Sequence, residues 1–259
     1  MNAERQDALV QNALVSFLLS MGDDEFILGH RDSEWCGAAP ILEEDIAFAN
    51  IALDELGHAK IWYTLIGSLT GNDPDTYPDR MAFERNPADF RNLQMVELPN
   101  GDWAFSMLRQ YLFDAFEIVH LDGLMNSTYL PIAEAAAKIR KEEVYHYRHT
   151  HAWVLRLGQG TQESQRRMQK ALDELWPYTL QMFYPRPEDA QLVAAEYNNP
   201  LDQLRNQWEG HVLPLLGSCG LHLPEISEQQ ISREQHTKHL NVLLDEMQSV
   251  ARLDSQAEW

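Results

Sequence analysis

At 259 residues the chain is long enough to bury one sizeable core, and two wholly separate domains are not expected. Its 40 acidic against 20 basic side chains give a formal net charge of −20, which argues against nucleic acid or an anionic membrane as the main partner. Cys36 and Cys219 stand far apart, the N-terminus is polar and charged, and no run of 18 apolar residues occurs, so no disulfide framework, Cys-rich zinc site, signal peptide or membrane span is expected and the cytoplasm is the default location.

In chain order, apolar residues from about Ala3 to His30, including Leu14, Phe17, Leu18, Met21 and Ile27, recur at helical spacing and predict a first helix. SEWCGAAP, ending in Pro40, is a turn. Glu43, Glu44 and Asp45 then place negative charge at the start of a second helix that runs to about Leu69. The next stretch of about thirty residues contains GNDPDTYPDR, NPADF and LPNGD and cannot be one helix, so it reads as a long crossover. Asp102 can cap a third helix running to about Asn126, and Pro131 sits just inside a fourth that ends near Gly158. Two hairpins joined by one long connection are the topology of a ferritin-like four-helix bundle. Gln162–Phe183, Leu201–Leu216 and Ser232–Arg252 predict additional C-terminal helices, interrupted at Pro185, Pro187, Pro200, Pro214 and Pro224. The expected architecture is therefore all-α: one domain over 1–259, with a bundle core at 3–158 and accessory helices at 161–259 packed on it.

The chemistry lies in two Glu-x-x-His motifs, Glu55/His58 in DELGH and Glu143/His146 in EEVYH. Three helical positions turn through about 300°, so both side chains of each motif share one face and can reach one metal. A chain with 22 Glu and 10 His yields about one such match by chance, and Glu117/His120 makes a third. The internal repeat separates signal from noise. Glu25 precedes Glu55 by 30 positions and Asp114 precedes Glu143 by 29, so each hairpin offers acid, then acid, then histidine. In antiparallel hairpins, residues so spaced face each other, which predicts that four carboxylates and two imidazoles meet at one midpoint. Proteins with two iron ions use a carboxylate from each of two helices and a Glu-x-x-His from each of the other two. Such a mixed oxygen and nitrogen set suits two iron ions, or manganese, better than calcium or a structural zinc. Glu25, Glu55, His58, Asp114, Glu143 and His146 are accordingly the expected metal ligands. Glu117 and His120 lie about one turn beyond Asp114 without a counterpart on the first helix. A supporting or surface role is expected for them, with Glu117 an alternative to Asp114.

EWCG at 34–37, ANIALDELGHA at 49–59, VELPNGDWA at 96–104, RQYLFDA at 109–115, EEVYHYRH at 142–149, LRLGQGT at 155–161 and HLNVLLDEMQ at 239–248 occur in an order and spacing that make nearly the whole chain resemble the di-iron subunits of bacterial phenylacetyl-CoA epoxidase, and above all its C-type (PaaC-like) member. The resemblance implies a multicomponent monooxygenase that epoxidises an aromatic acyl-CoA in phenylacetate catabolism. C-type members often lack part of the ligand set and serve as the structural partner of a catalytic A-type subunit. Here all six positions match those used by the A-type. The alternatives are a non-catalytic partner with a retained site and a ferritin- or rubrerythrin-like redox protein. The resemblance also implies association, as a homo- or hetero-oligomer, with an A-type subunit. Electrons would come from a separate reductase, because the chain has neither a Gly-rich dinucleotide fingerprint nor a Cys-rich iron–sulfur motif.

Three further patterns carry weaker expectations. Lys138, Arg140, Lys141, Arg148, Arg156, Arg166, Arg167 and Lys170 concentrate 8 of the 20 basic residues, either as a solvated face balanced by Glu142, Glu143 and Glu163 or as a surface for CoA or a partner. Trp62, Tyr63, Phe113, Phe116, Tyr145 and Tyr147 suit core packing or a substrate pocket. Leu240, Leu243, Leu244, Met247 and Val250 form an apolar stripe that serves internal packing or an interface.

Overall fold

A computed structural model of the chain describes residues 3–225 and 230–253. The helices are α1 (Ala3–Ser33), α2 (Leu42–Thr70), α3 (Tyr77–Phe83), α4 (Gln94–Glu97), α5 (Trp103–Leu124), α6 (Leu130–Gly158), α7 (Gln162–Thr179), α8 (Asp189–Ala194), α9 (Leu201–Ser218), α10 (Lys238–Met247) and α11 (Ser249–Leu253). Among the described residues there is no strand. The four long helices expected from the periodicity are present as α1, α2, α5 and α6. The described residues divide into two compact units, one from segments 1–38, 45–99 and 232–259 and the other from 39–44 and 100–231. The expected accessory region is shared between them, and its residues 226–229 and 254–259 lie outside the described residues.

In the first unit α1 and α2 approach closely because glycine faces the contact. A Cβ added at Gly22 would stand 2.6 Å from the Tyr63 ring, and one at Gly29 would stand 2.9 Å from the Glu55 Cβ and 3.1 Å from the Ala52 carbonyl. Glu25 lies between these glycines and is carried toward α2 by the same approach. Its neighbours Asp23 and Asp24 are buried too, but each successive residue turns through about 100° and meets different partners. Asp23 accepts from the Tyr63 hydroxyl at 2.6 Å, from the Arg91 amide at 2.7 Å and from Arg85 Nη1 at 3.0 Å. Asp24 accepts from the Leu93 amide at 2.6 Å and from Arg233 Nη1 at 2.7 Å. Burial pushes the Asp24 carboxyl up to about 6 against the opposing pull of Arg233. The crossover is thus tied to α1 by ions and amides.

The same tethering explains where the last expected helix begins. Glu97 receives Asn92 Nδ2 at 3.0 Å and the Thr237 amide at 2.6 Å, and pairs with His236 Nδ1 at 2.6 Å. Residues 232–237 are engaged in these contacts and are not helical, so the helix expected from Ser232 starts at Lys238, where the Thr237 hydroxyl caps the His239 amide. Leu240, Leu243 and Leu244 are buried inside this unit, where α10 packs on α4, so that part of the stripe serves internal packing.

In the second unit α5 is the centre. Every residue from Ala104 to Leu121 is buried, which is the environment of a helix covered on all sides, and α6, α7 and α9 provide the cover. Asp102 caps its start by accepting from the Phe105 amide at 3.0 Å. Trp208 of α9 stacks on Trp176 of α7 and donates its indole N–H to the Leu112 carbonyl at 3.0 Å. The helix expected to reach Phe183 changes to a 3-10 turn at Leu180–Phe183, just beyond Pro177.

Gly29→Ala should lower stability by about 1–3 kcal/mol through overpacking against Glu55 and Ala52. Gly57→Ala, at an exposed α2 position where an added Cβ meets nothing within 4 Å, should raise it by about 0.5–1 kcal/mol. Urea unfolding of both variants checks the pair of signs.

Candidate metal centre

The expected ligands divide between the units, with Glu25, Glu55 and His58 in the first and Asp114, Glu143 and His146 in the second. In the first, Glu25 of α1 and Glu55 and His58 of α2 each offer a ligand atom, and these atoms lie within 4.8 Å of one another. His58 Nδ1 is 3.4 Å from Glu25 Oε2, and all three residues are at most 1% exposed. Two carboxylates gathered this closely away from water repel each other and lose hydration, so the arrangement calls for a cation or for protons. A metal ion fits the donors, which are oxygen and imidazole nitrogen, and the enclosed position.

In the second unit, Glu143 and His146 sit one turn apart on the buried face of α6, with His146 Nδ1 2.7 Å from Glu143 Oε1. Asp114 of α5 is fully buried and accepts hydrogen bonds from Gln110 Nε2 at 2.9 Å and from the Thr150 hydroxyl at 2.6 Å. Carboxylate oxygens have further lone pairs, so these bonds orient Asp114 and leave it able to ligate. Gln110 and Thr150 escaped the sequence reading. Their signal is helical spacing, since Gln110 lies four positions before Asp114 and Thr150 four after His146, each on the face of the residue it serves.

The structure corrects the surface alternative for Glu117 and His120. Both are buried: His120 Nε2 lies 3.2 Å from Asn198 Oδ1, and its ring packs 5.1 Å from that of Phe116. Of the aromatics, Trp62, Tyr63, Phe113 and Phe116 are core residues, whereas Tyr145 is exposed and Tyr147 half-buried. Tyr147 stacks on Tyr111 and reaches His211 Nδ1 at 3.1 Å. The expected charge balance on the basic cluster is also revised. Glu163 does pair with Arg166 and Arg167, whose hydrogen bonds hold its carboxyl down at about 2, but Glu143 is buried beside His146, away from the exposed cations.

This is an all-α, ferritin-like fold with carboxylate and histidine side chains gathered on its buried helix faces. A solved structure described as Protein 19 with aldehyde deformylating oxidase activity from Synechococcus shares that fold, with a TM-score of 0.54 over 96% of this chain and 98% of its own at 14% identity. The chain belongs to the family described as phenylacetic acid catabolic protein, which matches residues 1–259. Among curated relatives it is 35% identical over 252 residues to the C-type subunit of 1,2-phenylacetyl-CoA epoxidase from Escherichia coli (strain K12), covering 96% of this chain and 100% of the relative. It is 25% identical over 199 residues to the A-type subunit of the same epoxidase and organism, covering 75% of this chain and 63% of that relative.

Thr150→Val should cost about 1–3 kcal/mol in metal-free protein, because Asp114 loses its 2.6 Å donor in a buried setting. Thr150→Ser should recover most of this in the same denaturant titration.

Proposed function

We propose that this chain is a subunit of a bacterial phenylacetyl-CoA epoxidase-type complex and that Glu25, Glu55, His58, Asp114, Glu143 and His146 bind two iron ions. The observation that carries the reading is the fully buried Glu25, Glu55 and His58 group in a chain so similar to the C-type member of an epoxidase. Four carboxylates match the charge of two ferrous ions, and two neutral imidazoles complete the set used by di-iron carboxylate proteins. Manganese fits the same donors. Bound iron would supply dioxygen activation for inserting one oxygen atom into an aromatic acyl-CoA.

The chain's own residues have defined tasks in this reading. Gln110 and Thr150 hold Asp114 in one orientation, while Glu143 holds the His146 ring through Nδ1. Burial of all six side chains keeps bulk water away from the reacting atoms. An A-type subunit is the expected partner and a separate reductase the electron source. Two free cysteines, Cys36 and Cys219, and the finding that no described helix is long and apolar enough to cross a membrane support a cytoplasmic setting.

Elemental analysis after anaerobic ferrous loading should find about two metal ions per chain, and Glu143→Ala combined with His146→Ala should remove at least one. Asp114→Ala should weaken loading more than Glu117→Ala, and the reverse ranking would make Glu117 the ligand on α5. In size analysis at micromolar concentration, the chain should co-elute with an A-type subunit. A strict monomer that ignores this partner would leave a stand-alone di-iron protein as the better account.

A further inference from the structure

Glu44 is a buried acid outside both the expected ligand set and the tethers of the crossover. It lies in the first turn of α2 at 8% exposure, and no lysine or arginine pairs with it among the described residues. The helix N-terminus offsets part of its charge, but a carboxylate removed from water needs more than that. Its neighbour in space is His149 of α6, in the same compact unit. His149 Nε2 stands 2.9 Å from Glu44 Oε2, yet neither atom makes a hydrogen bond among the described residues. The nitrogen is close to the oxygen without being aimed at it.

That combination is the geometry of two ligands on adjacent corners of one ion. A nitrogen and an oxygen that are each about 2.1 Å from a metal, at right angles to one another, stand about 3.0 Å apart, and the nitrogen then points at the metal. A structural pair aligns the two atoms instead, as His236 Nδ1 and Glu97 Oε1 are aligned at 2.6 Å. The position fits an ion arriving from solution. The two side chains keep 15% and 10% exposure, so water can reach them and complete a coordination sphere. Tyr145 stacks on the His149 ring at 23°, with centroids 6.1 Å apart, and fixes its plane. His149 follows His146 by three positions, about 4.5 Å along α6 and about 60° around it.

We infer that Glu44 and His149 form a weak site for a divalent first-row metal ion, separate from the six expected ligands, which takes up ferrous or manganous ion from solution and passes it to the centre. This rests on the di-iron reading above and names how that centre is filled. The imidazole nitrogen favours such an ion over magnesium or calcium. Two protein ligands with water hold it loosely, which lets it exchange onto the fuller set one helical turn away. The transfer is ligand exchange, and no electron moves.

The test uses the full chain and counts bound Mn²⁺ from the paramagnetic resonance signal of the free ion at about 1 mM metal, the range of weak carboxylate sites. Salt at about 150 mM screens the diffuse attraction of so acidic a chain. The parent should bind about one ion more than His149→Phe, which keeps a ring against Tyr145 but loses the nitrogen, and about one more than Glu44→Gln. His149→Glu should retain that ion, because a carboxylate still ligates although the pair has become a repulsion. Under anaerobic conditions, ferrous ion should become resistant to an added chelator at least about fivefold more slowly in His149→Phe and Glu44→Gln, with the same final iron content. Equal manganese in the parent and these two variants, equal loss in His149→Glu, or an unchanged loading rate would each overturn the proposal and leave Glu44 and His149 an ion pair. Protected iron in the parent without the additional manganese counts against the pair alone. Additional manganese in a parent that protects no iron counts against the six-ligand reading, not against the pair.

Discussion

The cost of burying negative charge governs this structure. Asp23, Asp24, Glu25, Glu55, Glu97, Asp114 and Glu143 are all removed from water, in a chain that already carries twice as many acids as bases. An isolated buried carboxylate is strongly disfavoured, so each needs a cation, a proton or several donors. The structure divides these solutions by purpose. Asp23, Asp24 and Glu97 meet Arg85, Arg233 and His236, together with backbone amides of the crossover and of the segment before α10. Glu25 and Glu55 are instead gathered with His58, which is what a metal site requires and a structural ion pair does not.

Three consecutive acids on α1 show how one helix serves both ends. Asp23 and Asp24 hold the crossover, and Glu25 turns toward α2. Gly22 and Gly29 bracket them and allow the close approach, so a side chain at either glycine would disturb the scaffold and the placement of Glu25 together. The buried tethers also raise the local stakes: removing Arg85 would take the cation from Asp23 and leave its buried negative charge to neutral donors, the Tyr63 hydroxyl and the Arg91 amide.

α5 and α6 divide their work differently. α5 is enclosed along eighteen positions, from Ala104 to Leu121, so Asp114, Glu117 and His120 can be polar only because each has a defined neighbour. α6 is half-exposed: Glu143 and His146 lie on its buried face, and Lys138, Lys141, Arg148 and Arg156 are exposed. The four-residue helical spacing that sets the Thr150 hydroxyl on the His146 carbonyl also places Tyr145 beside His149.

Much of this was legible in the sequence, because helical periods, Asp102 as a cap, Pro131 in a first turn and the acid–acid–histidine repeat are local patterns with local causes. Glu25, Glu55 and His58 were found together because spacing along two antiparallel helices determines which residues can meet. The fate of the other polar residues was not legible. Nothing local shows that Glu117 is buried, or that His120 reaches Asn198, 78 positions away. Nor does periodicity reveal that residues 232–237 surrender their helix to bind Asp24 and Glu97. The sequence by itself determined the helices, their capping and the candidate ligands, which follow from neighbours within a few turns. Only the tertiary structure decided which charges are buried and which partner neutralises each, because that energy depends on distance through space and on the loss of water, not on position along the chain.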